Sequence, residues 1–71
     1  MRIAKTLDDL PVGTPIEVEG CRITWKGLVI ENGWMYRYRE FYVKVLFPDG
    51  TDVFYFEEDL EEEQIRIVEV K

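Results

Sequence analysis

Alternation of apolar and polar residues with a period of two dominates this chain. In Pro15-Ile16-Glu17-Val18-Glu19 the two kinds take turns, the mark of a half-buried strand with Ile16 and Val18 inward. Phe41 to Phe47 alternates again, with Phe41, Val43, Val45 and Phe47 on one face and Tyr42, Lys44 and Leu46 on the other. Thr51 to Phe56 is β-branched and aromatic throughout. Gln64 to Val70 reads as a closing strand that buries Ile65 and Ile67, or Val68 and Val70. Between the first two lies CRITWKGLVIE, rich in strand formers and interrupted by Gly27, where a bulge or sharp bend is expected.

Turn chemistry divides these strands. Thr6 to Leu10 reads as one capped helical turn, with Thr6 as N-cap, acids in the first turn and Pro11 ending it. Val12-Gly13-Thr14 and Pro48-Asp49-Gly50 are turns, and Glu58 to Glu61 is a second short helical turn with Leu60 tucked under. Asn32-Gly33 predicts a tight hairpin, because both residues accept the positive φ of a type I′ turn. The third strand then runs somewhere between Trp34 and Phe47. Extending its core face backward from Phe41 lands on Arg39, Arg37 and Met35, while Trp34, Tyr36 and Tyr38 fall on the outer face. Either a bulge near Arg39-Glu40 flips the register, or residues 31–40 leave the sheet as a loop or extended hairpin tip. In the simplest reading Trp34, Tyr36 and Tyr38 lie outside the main core. Five short strands with turn signals at roughly 8–12-residue spacing describe an all-β domain, a small five-stranded barrel spanning residues 1–71.

The segment GLVIE…FYVKVLFPDGTDVFYFEEDL resembles the Tudor and related SH3-like barrels. It has their strand-two glycine, Val-x-Val-x-Phe third strand, Asp-Gly turn and short Asp-Leu turn before the last strand. The resemblance covers residues 12–70. It implies an aromatic cage for a methylated cation, to which Trp25, Phe47 and Phe54 correspond. Just after the first strand, where that family places another ring, this chain has Glu19-Gly20-Cys21-Arg22.

Composition narrows the chemistry. The 71 residues contain no His and no Ser and only one Cys, Cys21. Serine–histidine and cysteine–histidine catalysis, imidazole metal sites and thiolate clusters are thereby excluded, and the expectation is a non-enzyme without metal or cofactor. Cys21 reads as a small, buried or half-buried residue that cannot form an internal disulfide. No apolar run approaches the ~20 residues of a membrane span, and MRIAKTLDD lacks the apolar core of a signal peptide, so a cytoplasmic address is expected. The net charge of −6 falls wholly after Thr51, where EEDLEEE concentrates six acids. That run reads as a solvated edge; its spacing is not that of a calcium loop.

Within ENGWMYRYRE, residues 31–40, Trp, Tyr, Arg and Met are the types enriched at the centres of protein interfaces. The expected function is therefore a protein-interaction module that binds through Trp34, Tyr36, Arg37, Tyr38 and Arg39, with Trp25 and Lys44 as outlying contacts. For Trp25 core packing is the better reading, and the rings of the tip read alternatively as a lid on the barrel. Single-stranded nucleic acid is the alternative ligand, since bases stack on rings while arginines neutralise phosphates. Two further readings are a small acidic inhibitor of a nucleic-acid enzyme and a homodimer formed through the exposed rings.

Overall fold

The computed structural model describes residues 2–20 and 22–68. Cys21, and Val70 at the end of the expected closing strand, lie outside the described residues. Six strands form one antiparallel sheet: β1 (Arg2–Ile3), β2 (Pro15–Glu19), β3 (Thr24–Met35), β4 (Glu40–Leu46), β5 (Asp52–Phe56) and β6 (Ile65–Ile67). They lie in the order β1-β6-β2-β3-β4-β5. A 3-10 turn, Leu7–Asp9, follows β1, and a short helix, α1 (Asp59–Glu62), links β5 to β6.

The strand count is six where five were expected, and the sheet is open rather than closed on itself. The additional strand, β1, has only two residues, too few to show any period. It is held by pairing Arg2 with Ile67 and Ile3 with Arg66, and by the Ala4 N–H donating to the Ile65 carbonyl at 2.8 Å. β1 and β5 therefore remain the outer strands of the sheet. Beyond β1 the Leu7 N–H donates to the Glu57 carboxylate at 3.2 Å instead of to a strand.

Both helical turns form where the sequence places them. Thr6 is the N-cap of the first, and the Asp9 carboxylate accepts from the Lys5 and Thr6 amides at 3.0 and 3.2 Å. Leu60 of α1 is buried. The core is drawn from one side of the sheet: Ile16 and Val18 of β2, Val29 of β3, Val43 and Val45 of β4, Tyr55 of β5, and Ile65 and Ile67 of β6. Phe47, Leu10, Leu60 and Ala4 complete it from the connections.

The longest strand departs most from expectation. Asn32-Gly33 makes no turn: both residues lie inside β3, paired with Val43 and Tyr42. The chain reverses instead at Tyr36–Arg39, where Arg39 takes the positive φ, 53°. Gly33 serves the sheet by its missing side chain, since a Cβ there would come within 3.3 Å of the Tyr42 ring. The register break expected near Arg39-Glu40 falls on the partner strand, between Val29 and Glu31, leaving Ile30 as the extra residue of a bulge. Gly27, where a bulge or bend was expected, pairs regularly with Ile16. Phe41, assigned to the core by alternation, is 64% exposed, because β3 and β4 run on past the edge of the core.

Candidate functional site

Two places on the molecule gather side chains that could recognise a ligand. The first is the far end of the β3–β4 hairpin. Past the bulge, Asn32 pairs with the buried Val43, so Trp34 and Phe41, two positions further on, continue the core-facing side beyond the core. They pack edge to face, with centroids 4.8 Å apart at 73°. At the turn, Tyr38 reaches back to Phe56 of β5, centroids 5.8 Å apart at 85°. The Arg37 guanidinium lies 5.8 Å from the Tyr38 ring. Tyr36 packs on no other ring among the described residues and is 85% exposed. Arg37 and Arg39 are exposed, and neither forms an ion pair among the described residues. Trp34, Tyr36, Arg37, Tyr38 and Arg39, predicted as one group, thus share one hairpin end.

Lys44 and Trp25 are not part of that group. Lys44 lies on the outward side of β4, 3.4 Å from the Asp52 carboxylate and 5.4 Å from the Phe54 ring centroid. Tyr42, on the same side, donates its hydroxyl to Glu31 at 2.9 Å, and this bond raises its pKa above the usual tyrosine value. Phe54 packs against Tyr42, with centroids 5.2 Å apart. It therefore faces away from Val53 and Tyr55, its inward neighbours on β5.

The second place is a cleft of about 330 Å³ at the end of the core, beside the Pro48–Gly50 turn. Trp25 and Phe47 line it, with centroids 6.3 Å apart at 74°. Trp25 pairs with Val18 and so shares the core-facing side, yet it is 44% exposed because it stands at the rim. Of the three cage candidates, Trp25 and Phe47 are brought together. The third ring of the cleft is Tyr55, with Phe54 on the opposite side of β5. Glu19, Asp49 and Glu63 also line the cleft, though the Glu19 carboxylate pairs with Arg66 on the outward side of β2, and among the described residues no basic residue lines it. Burial, reinforced by the charges of Glu63 and Asp59, pushes the Tyr55 hydroxyl up to about 12. Asp49 accepts from the Thr51 N–H and hydroxyl, both at 2.9 Å, and these bonds hold its carboxyl below the usual range.

Sequence reasoning missed Tyr55, Glu19, Asp49 and Glu63. Tyr55 was legible as the inward residue beside Phe54, had the parity of β5 been set by Val53. Glu19 ends β2, Asp49 lies in the turn between β4 and β5, and Glu63 follows α1, so no local pattern joins them. Among the described residues no group of three or more His, Cys, Asp or Glu side chains is arranged to hold a metal ion, and no helix is long and apolar enough to cross a membrane. No family model matches the chain, and no curated protein or solved structure matches it.

Proposed function

We propose that this chain is a non-catalytic, cytoplasmic protein-interaction module of SH3-like, Tudor-like barrel type, which binds a protein partner through the end of its β3–β4 hairpin. The barrel reading draws support from the order β6-β2-β3-β4-β5 and from the helical turn between β5 and β6. The binding reading rests on one observation: a hairpin that extends past the core and carries Trp34, Tyr36, Tyr38 and Phe41 exposed beside Arg37 and Arg39. Rings held by one neighbour and open on the other side supply large contact area at little ordering cost, and arginines at their edge give direction.

The double variant Trp34→Ala/Tyr36→Ala tests this reading. It is expected to lose a protein that the wild type retains from nuclease-treated lysate, while its Tm stays within a few degrees. A large fall in Tm would make the rings structural and remove the proposal. The Arg37–Tyr38 contact favours single-stranded nucleic acid as the second reading. Salt separates the two. A nucleic-acid complex weakens steeply between about 50 and 200 mM salt, whereas one anchored by buried rings changes little.

A further inference from the structure

We propose that the free edge of β5 is a docking site for an extended, basic segment of a partner protein, which adds to the sheet as a further antiparallel strand. The surface includes none of Trp34, Tyr36, Arg37 and Arg39, and it goes beyond the function proposed above.

The ladder between β4 and β5 decides which backbone groups are free. Phe47 donates its N–H to the Thr51 carbonyl at 2.9 Å, which sets the alternation along β5. Two and four residues on, Val53 and Tyr55 turn toward β4, where they pair with Val45 and Val43. Asp52, Phe54 and Phe56 therefore turn their N–H and carbonyl groups away from β4. The Phe56 N–H is met by the Asp59 carboxylate at 2.8 Å, as that direction requires. The Asp52 and Phe54 groups have no partner among the described residues, and both residues are exposed.

Sheet edges are ordinarily protected by shortness, proline, lysine or a bulge. The opposite edge, β1, has only two residues. β5 has five, paired with β4 in unbroken register, and it contains neither proline nor lysine. Its free groups can be satisfied by one more strand, with the backbone supplying affinity and the side chains specificity.

Charge selects the occupant. Asp49 and Asp52 stand at one end of β5, and Glu57, Glu58 and Asp59 follow the other. No basic residue lies between Lys44 and Arg66 in the chain, and Lys44 is paired with Asp52 at 3.4 Å. A second copy added edge to edge about Phe54 would bring Glu57 and Glu58 beside Asp49 and Asp52 of the other copy, like charge against like. A segment with a basic residue at each end meets opposite charge at both. Between them, a β-branched residue opposite Phe54 packs on its exposed ring, and its two apolar neighbours fall beside Val53 and Tyr55.

The test is a nitrogen-15 NMR titration with acetyl-Lys-Val-Thr-Val-Lys-amide, taken to about 10 mM because a single short strand binds weakly. Saturable shifts of the Asp52 and Phe54 amides are expected, with slower hydrogen exchange at both. Methylating the central threonine nitrogen of the peptide should weaken binding about tenfold, since it removes the bond to the Phe54 carbonyl. Replacing both lysines by glutamate should weaken it at least as much. Phe54→Pro deletes an N–H that β4 does not use, so it should abolish binding with the β4–β5 ladder intact. Unmoved Asp52 and Phe54 amides, or equal binding of the methylated or the glutamate peptide, would overturn the proposal. So would a dimer in sedimentation that Phe54→Pro dissolves, because the edge would then belong to a second copy. The peptide controls use the wild-type protein and decide the matter even where Phe54→Pro fails to fold. Trp34→Ala/Tyr36→Ala should show the same shifts, so the failure of either reading leaves the other standing.

Discussion

Gly27 shows how a single residue can be required for a reason its neighbours do not reveal. Its backbone pairs normally with Ile16, and a Cβ on it would stand 2.6 Å from a Val45 methyl and 3.0 Å from the Phe47 ring. The missing side chain lets β3 lie close against the floor of the core. Both groups it would strike are buried, so neither can swing aside. Gly27→Ala is therefore expected to destabilise the fold by roughly 1–3 kcal/mol, as overpacking does, and urea unfolding would measure it. An unchanged midpoint would show that Phe47 has room to move. Gly33 follows the same logic against Tyr42. Glycine in a strand can serve a turn, a bulge or a close approach, and the neighbours along the chain do not say which.

At the scale of the element, the β3–β4 hairpin places the candidate interface. The extra residue Ile30 shifts the pairing so that Glu31 and Lys44 face outward together while Asn32, itself exposed, shares the side of the sheet that Val43 occupies. The bulge thus reconciles two runs whose parities conflict, and it carries Trp34 and Phe41 to the core-facing side past the core. The reversal at Tyr36–Arg39 holds a non-glycine residue at φ 53°. A left-handed conformation costs an L-residue roughly 1–2 kcal/mol, part of which glycine would recover. Arg39→Gly is accordingly expected to raise stability by about 0.5–1 kcal/mol in the same urea assay. A fall in stability would mean that the Arg39 side chain holds the turn. Asn32-Gly33 has the stronger turn chemistry. It is overridden because β4 supplies partners for residues 31–35, and ladder pairing along the whole strand outweighs one favourable turn.

For the whole molecule, pH reads how the connections are held. The Asp9 carboxyl is lowered by accepting from the Lys5 and Thr6 amides, and the Asp49 carboxyl by accepting from Thr51. Both are lower when folded, so each contributes stability above the unfolded value near 3.8 and loses it as pH falls through the folded value. Tyr55 runs the other way. Its folded value, about 12, exceeds the unfolded 10.0, so its contribution is full below pH 10.0 and is lost as pH rises toward 12. A plot of stability against pH should therefore show a plateau with an acid and an alkaline limb. Asp9→Asn and Asp49→Asn should each shallow the acid limb, and Tyr55→Phe the alkaline one. Limbs that stay equally steep in the variants would assign the pH dependence to other groups.

The sequence by itself determined the strand faces wherever a run alternates inside the core. Ile16, Val18, Val43 and Val45 are inward as their periods require, because misplacing any one would turn its whole strand over. The choice of Ile65 and Ile67 in the closing strand, by contrast, was left open by the sequence and made by the fold. The sequence also determined both helical turns and the Pro48–Gly50 reversal, where Gly50 has φ 90°, since those signals are local. Tertiary structure decided the rest. It recruited the two-residue β1, set the bulge at Ile30 instead of Arg39-Glu40, and left Phe41 and Trp25 at the core's edge. It also drew Glu19 from the end of β2, and Asp49 and Glu63 from two separate connections, around one cleft. Each of these depends on where a strand ends relative to its neighbours, which pairing across the sheet decides and no stretch of chain contains.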